Sequence, residues 1–461
     1  MTRLEQSSYI FQATVDKRLP MVVDGKGMYI TLEDPKTGER RQIIDAMTGA
    51  AVGALGHRDP EIIDAMKAAA EKTVYSFPAY FSNYPASDLA EFIIKSSPPN
   101  AFAAAVFVGS GSEANENALK IIRQYHVEKG EFKRKKFISR KQAYHGYTLA
   151  AMSIADYVHK DSFKDIMLPA ENTPKVSQCY PYRLVKENET SEQYKDRLVK
   201  EVEDTIIAEG SDTVAAVIFE TVGGSTIGTT TPIPGYLEGV KKVCEKYGVL
   251  FMLDEVMCGM GRCGTLHAWE QYMPLDNGPD IQTIGKTLGS GYVTIAGVLV
   301  SPKVKDVFVK GSGLILGAQT YHSHHFNCSV ALAIQQKIAK DGLIANIAKN
   351  GNYLADKLKE KCADSPIVGD IRGSGSFWSI EFVKNKETKE PFAPELGVGY
   401  MINGICLKNG VHVMGMNGTI DGKAGSHILI APAYTSTQED ADVIANRIAI
   451  SVDEAAKTLL V

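Results

Sequence analysis

Between residues 103 and 301, short apolar runs alternate with amphipathic segments, and no other feature constrains the fold as much. The runs are AAAVFVG (103–109), KKFISR (135–140), TVAAVIFE (213–220), GVLFMLDE (248–255), DIQTIG (280–285) and TIAGVLVS (294–301). SEANENALKIIRQYHVEK (112–129) and PGYLEGVKKVCEKYG (234–248) between them carry helical apolar spacing. Strands that are apolar throughout are buried on both faces, so the pattern predicts an α/β fold with a mainly parallel sheet covered by helices. YITLEDPKTGERRQIID (29–45) reads as two short strands around a turn, and DPEIIDAMKAAAEK (59–72) as a helix with Asp59 as N-cap and Pro60 in its first turn. The glycine-rich turn in GDIRGSGSFWSIEFV (369–383) opens a second, α+β region. The expected division is a large lobe over 76–329 and a small lobe from 1–75 and 330–461, because neither chain end alone carries enough core.

Composition removes several function classes. A net charge of -4 gives no reason to expect nucleic acid or membrane as partner. The basic cluster EFKRKKF (131–137) reads as a solvated turn. No stretch reaches the roughly 18 uninterrupted apolar residues of a membrane span. The first twenty residues lack the apolar core of a signal peptide. The seven cysteines are scattered without C-x-x-C spacing, as expected of free thiols in a reducing, cytoplasmic setting.

In a parallel α/β sheet, ligands bind beyond the carboxyl ends of the strands, and several polar groups fall there. In FVGSGSEAN (107–115) a strand runs through Gly-Ser-Gly-Ser into a helix; its N–H groups and hydroxyls suit a phosphate, with Ser112 as an N-cap the plainer alternative. FMLDEVMCGMGRCG (251–264) ends an apolar strand in Asp254 and Glu255. A carboxylate at an inner strand tip needs a cationic partner, such as a protonated ring nitrogen, or loop amides. In DIQTIGKTLGSGY (280–292), Lys286 follows a strand among small residues. The Walker A spacing fails because Asp280 stands where a glycine is required. A lysine desolvated there would be a nucleophilic amine; otherwise it is a surface lysine. In QAYHGYTLAAMS (142–153), Tyr144 is suited to stack on a flat ring or to pack in the core. His322, His324 and His325 lack the i, i+4 spacing of a helical zinc pair and read as polar loop residues.

A phosphate cup, an aromatic platform, an Asp at a strand end and a later lysine, in that order, are the parts needed to hold pyridoxal 5'-phosphate. With GALGHRDPEIIDAM (53–66), GSGSEANENALK (109–120), AYHGYT (143–148), LDEVMCGMGRCG (253–264), PDIQTIGKTLGSGY (279–292) and QTYHSHHFNCSVALA (319–333), the chain resembles the class III pyridoxal-phosphate aminotransferases of fold type I, nearest the omega-aminotransferase-like branch. The resemblance implies that Lys286 binds the cofactor covalently and then moves the proton, and that Asp254 pairs with the pyridinium nitrogen. It implies Val256 and Tyr144 on the two ring faces, and Ser110, Gly111 and Ser112 at the phosphate. His145, Gly146 and Glu220 complete the cofactor-binding set. Thr320 would reach the phosphate of a neighbouring subunit, so a homodimer is implied.

The chain also departs from the pattern. Leu429, in HILIAPAY (427–434), stands where relatives that use 2-oxoglutarate carry an arginine, and Ala433 replaces a proline. The mobile arginine of omega-aminotransferases would fall near Gly422, beside Lys423. The expected reaction is therefore ping-pong transfer of an amino group from an amine or omega-amino compound to a 2-oxo acid, pyruvate first. Racemisation or decarboxylation on the same cofactor, and a non-catalytic nucleotide-binding α/β protein, are the alternatives.

Overall fold

The computed structural model describes residues 9–11 and 18–460. Parts of the reading of the first twenty residues, and of the 1–75 segment, lie outside the described residues.

The large sheet has seven strands, in the spatial order Ala104–Val108, Ala296–Val300, Ile281–Ile284, Leu250–Glu255, Val214–Glu220, Lys136–Arg140 and Lys175–Val176. From Ile281–Ile284 onwards every neighbour is parallel; Ala296–Val300 alone runs antiparallel to both its neighbours. The central strands Val214–Glu220 and Leu250–Glu255 are buried at every position, which explains their uninterrupted apolar sequence. One face packs Val217, Phe219, Phe251 and Leu253 against Leu198, Tyr236 and Leu237. The other packs Ala216, Ile218, Leu250 and Met252 against Ala118 and Ile122 of the helix Gly111–Glu128.

Two smaller sheets lie elsewhere. One joins Met21–Lys26, Tyr29–Glu33 and Arg40–Asp45 to Val411–His412. The other joins the hairpin Val368–Ser374/Phe377–Phe382 to Ser426–Ile430 and Met414–Asn417. Met28 and Ile44 share one apolar cluster with Ile380, Ile428 and Ile444, so early and late segments bury each other's side chains. The helix Pro60–Ala70 has Asp59 as N-cap, accepting the N–H groups of Glu61 and Ile62.

The cluster at 131–137 is not simply a solvated turn. Arg134 is buried and donates to the carbonyls of Ser211, Val214 and Tyr247, because it caps the entry of the Val214 strand, while Lys133 and Lys136 pair with Asp212 and Glu209.

Candidate active site

Three strand ends set the floor of the site. Register pairs Glu220 with Asp254 and Asp254 with Thr283, so three polar residues lie side by side where the strands stop. Above them is a cavity of about 550 Å³. Ser110, Gly111, Ser112, Tyr144, His145, Gly146, Glu220, Asp254, Val256 and Lys286 all line it. Residues 110 to 286 of the sequence motifs thus converge on one space. Thr320 lies outside that lining; its carbonyl accepts the Tyr75 hydroxyl at 3.1 Å.

Asp254 is 5% exposed and its carboxylate is fully engaged. Oδ2 accepts Asn115 Nδ2 at 2.9 Å and His145 Nδ1 at 2.8 Å; Oδ1 accepts the Val256 N–H at 3.0 Å and the Thr283 hydroxyl at 3.1 Å. The Thr283 hydroxyl is shared with Asn115 Oδ1 at 3.2 Å, which ties the two supports of Asp254 together. His145 is buried, with Nδ1–H spent on Asp254 and Nε2 without a protein partner among the described residues. Asn115 and Thr283 escaped the sequence reading. Asn115 was findable, since it sits within the first turns of the helix that begins at the phosphate-type loop.

That helix, Gly111–Glu128, is capped by Ser110 and not by Ser112: Ser110 Oγ accepts the Glu113 N–H at 3.2 Å. Ser112 falls inside the first turn, and its hydroxyl accepts the Tyr147 N–H at 2.9 Å. The first-turn N–H groups of Gly111 and Ser112 have no intrahelical acceptor and offer an anion site. A side chain on Gly111 would come within 2.6 Å of Val256, and one on Gly146 (φ +133°) within 2.7 Å of Ser112 Oγ, so this wall needs both glycines.

Glu220 accepts the N–H groups of Tyr144 (3.1 Å) and Gly224 (2.9 Å), and burial raises its pKa. Lys286 is half-buried and stands in the left-handed region at φ 45°. Its amine donates to the Ala50 carbonyl at 2.7 Å. Burial, with the Arg262 charge, lowers its pKa to about 8 against the opposing charges of Asp254 and Glu220. Ala50 belongs to a turn in which Thr48 (φ 48°) and Ala51 (φ 61°) are both left-handed, a conformation costly for a β-branched threonine.

The rest of the lining is apolar: Val52, Val222, Met257, Met414 and Met416 face the same space. Leu429 is fully buried with Met47, Val222 and Phe377 and does not reach it. The exposed Lys423 borders an adjoining cavity of about 340 Å³ that shares Tyr144, Ser225 and Met416 with the first. Among the described residues no His/Cys/Asp/Glu group could hold a metal ion, and His324 instead caps the helix His325–Lys340 through Asn327 N–H. No helix among the described residues is long and apolar enough to cross a membrane.

The residues fit pyridoxal 5'-phosphate. Free helix N–H groups would suit its anionic arm, the Asp254 carboxylate would suit a protonated ring nitrogen, and a lysine of lowered basicity lines the same space.

A family profile described as "Aminotransferase class-III" matches residues 10–452. An uncharacterized aminotransferase of Schizosaccharomyces pombe is 46% identical over 439 residues, covering 95% of this chain and 93% of its own. The chloroplastic gamma aminobutyrate transaminase 3 of Solanum lycopersicum is 35% identical over 413 residues, covering 87% of this chain and 75% of its own. Among solved structures, the omega transaminase from Pseudomonas jessenii in complex with PMP superposes with a TM-score of 0.87 at 28% identity, over 96% of this chain and 94% of that one.

Proposed function

The chain belongs to the class III aminotransferases, enzymes that use pyridoxal 5'-phosphate, and from that premise we propose that it moves an amino group from an amine or omega-amino compound to a small 2-oxo acid, pyruvate before 2-oxoglutarate. The observation that carries the acceptor choice is the lining itself: among its described residues it holds one lysine and no arginine. A second carboxylate buried without a cation would cost several kcal/mol. A monocarboxylate needs one cation at most, and Lys423 at the adjoining cavity can supply it.

In this reading the first-turn N–H groups and hydroxyls of Ser110, Gly111 and Ser112 bind the cofactor's phosphate. Tyr144 and Val256 flank its ring, and Asp254 keeps the ring nitrogen protonated. His145 and Asn115 hold Asp254 in place, Glu220 ties the Tyr144 loop to the strand ends, and Gly146 lets that loop approach Ser112. The cofactor supplies the electron sink for the carbanion formed at the amine-bearing carbon. The Lys286 amine would take the proton from that carbon and deliver it two atoms along, across the nitrogen, a 1,3 shift made once in each half of a ping-pong cycle. Thr320 serves the phosphate of a second copy, in a homodimer whose lobes divide as 76–329 against both chain ends. A cytoplasmic setting belongs to the same reading, supported by seven cysteines that are all free and buried.

Measured kcat/KM for pyruvate and 2-oxoglutarate with one common amine donor tests the acceptor; preference for 2-oxoglutarate overturns it. Borohydride reduction and peptide mapping should label Lys286, and label on another lysine would refute its role. Mixing Lys286→Ala and Thr320→Ala chains tests the crossing, because only a crossed Thr320 leaves one site of the mixed dimer with both residues intact. Recovery of activity supports it; none despite proven exchange of subunits refutes it.

A further inference from the structure

Arg262 is a charge that the reaction as described does not use. Its guanidinium is fully buried. Nη1 donates to the Pro432 carbonyl and, at 3.1 Å, to Ser376 Oγ; Nη2 reaches the Ala51 carbonyl at 3.4 Å; the group lies 4.8 Å from the centre of the Tyr434 ring. Nε has no partner, and no carboxylate among the described residues forms an ion pair with it. A buried cation without a counter-ion is expensive, and an uncharged side chain of similar length would fill the space at lower cost. The Ala50–Ala51 step connects it to the site: Lys286 holds the Ala50 carbonyl and Arg262 approaches the next one.

We infer that Arg262 is a positioning residue for Lys286: its hydrogen bonds to the Ala51 and Pro432 carbonyls hold the turn on which the lysine amine rests and set beside that turn a positive charge with no counter-ion among the described residues. Burial is the main cause of the lysine's lowered basicity, and the Arg262 charge acts in the same direction. Asp254 and Glu220 both favour a protonated lysine, and of the other titratable side chains on the cavity, Tyr144, His145 and Cys258, only His145, paired with Asp254, can carry a positive charge. Burial and Arg262 oppose the two acids, leaving an amine that can be neutral near physiological pH. The inference rests on Lys286 being the cofactor-bearing amine, which borohydride mapping tests separately.

The test measures the cofactor-free protein and needs no turnover. The pH dependence of Lys286 acylation by trace acetic anhydride, read by peptide mass spectrometry, gives the midpoint of the amine. Arg262→Gln should raise that midpoint by about one pH unit, and Arg262→Lys should restore it. Ser376→Asp, which gives the guanidinium a counter-ion without removing it, should also raise it. An unchanged midpoint in both Arg262→Gln and Ser376→Asp would overturn the inference, as would equal shifts in the Gln and Lys variants, since a purely structural arginine would respond to shape. If Arg262→Gln does not fold, Ser376→Asp decides; and a wild-type midpoint at the solution value of lysine refutes the inference by itself.

Discussion

Asp254 and Glu255 are neighbours at the end of one strand, both carboxylates and both buried, yet they do different things. Strand alternation sends them to opposite faces. Asp254 faces the cavity, held by Asn115, His145, Thr283 and its own loop. Glu255 faces the core. It accepts the Thr221 hydroxyl at 2.7 Å, the N–H groups of Ala268 (2.7 Å) and Trp269 (2.8 Å), and Gln282 Nε2 at 3.1 Å. Its bonds pin the turn Ala268–Gln271 to the strand end. Each acid has four donors, so neither hydrogen-bond number nor burial separates a reacting group from a structural one. Only access to the cavity does.

The comparison breaks most visibly at Asp254. In the proposed reading, Asp254→Asn keeps the shape and loses the charge that would hold the cofactor's ring nitrogen protonated. Turnover per folded molecule should fall by about 10³-fold, the scale of a lost electrostatic stabiliser, on top of a stability loss of about 1–3 kcal/mol from the amide NH₂ that then faces a donor. Near-normal kcat in this variant would remove Asp254 from the mechanism. Glu255→Gln should show the stability loss without the loss of turnover. One amide NH₂ then confronts a donor, at a cost of about 1–3 kcal/mol in stability, seen as a lower denaturant midpoint, while the rate constant per folded molecule changes less than in Asp254→Asn. A larger rate defect at Glu255 than at Asp254 would invert the assignment.

Thr283→Val probes how far Asp254 depends on its supports. It removes one hydroxyl donor and should cost about tenfold in rate, with cofactor retained. The smallest effect concerns pH. In the cofactor-free protein the folded-state pKa of Lys286 is about 8, against an ordinary 10.5. Below 8 the folded state carries a disfavoured proton. As pH rises from 8 towards 10.5 the folded protein releases that proton first, so the unfolded chain binds more protons there and stability rises with pH. Lys175, lowered to about 7 by burial, adds a slope of the same sign. Only the difference between wild type and Lys286→Met isolates Lys286, and denaturant titrations across that range should show a flatter curve in the variant.

Much of the fold was legible because its strands are buried on both faces and therefore apolar without interruption. The reversed strand Ala296–Val300 was not, since direction leaves no mark on a short apolar run. The cap of the helix Gly111–Glu128 was misread by two residues, because Ser110 and Ser112 are equally good caps in sequence and only the backbone angles separate them. Arg134 looked like one more solvated charge among lysines; its burial depends on three carbonyls from segments about 77 to 113 residues away.

The sequence by itself determined which chemical groups stand at the strand ends: hydroxyls and glycines before a helix, an acid closing an apolar strand, a lysine among small residues. Those are local facts, set by the order of residue types along a few turns of chain. Tertiary structure alone decided what each group touches. The amine of Lys286 rests on a carbonyl 236 residues earlier in the chain, in a turn where Thr48 and Ala51 adopt left-handed angles that no propensity for threonine or alanine foretells. Arg262 is buried without a counter-ion among the described residues because the carbonyls that receive it come from Pro432 and Ala51. Contacts between such distant segments are fixed by the packing of whole elements, and a charge or a pKa takes its value from them.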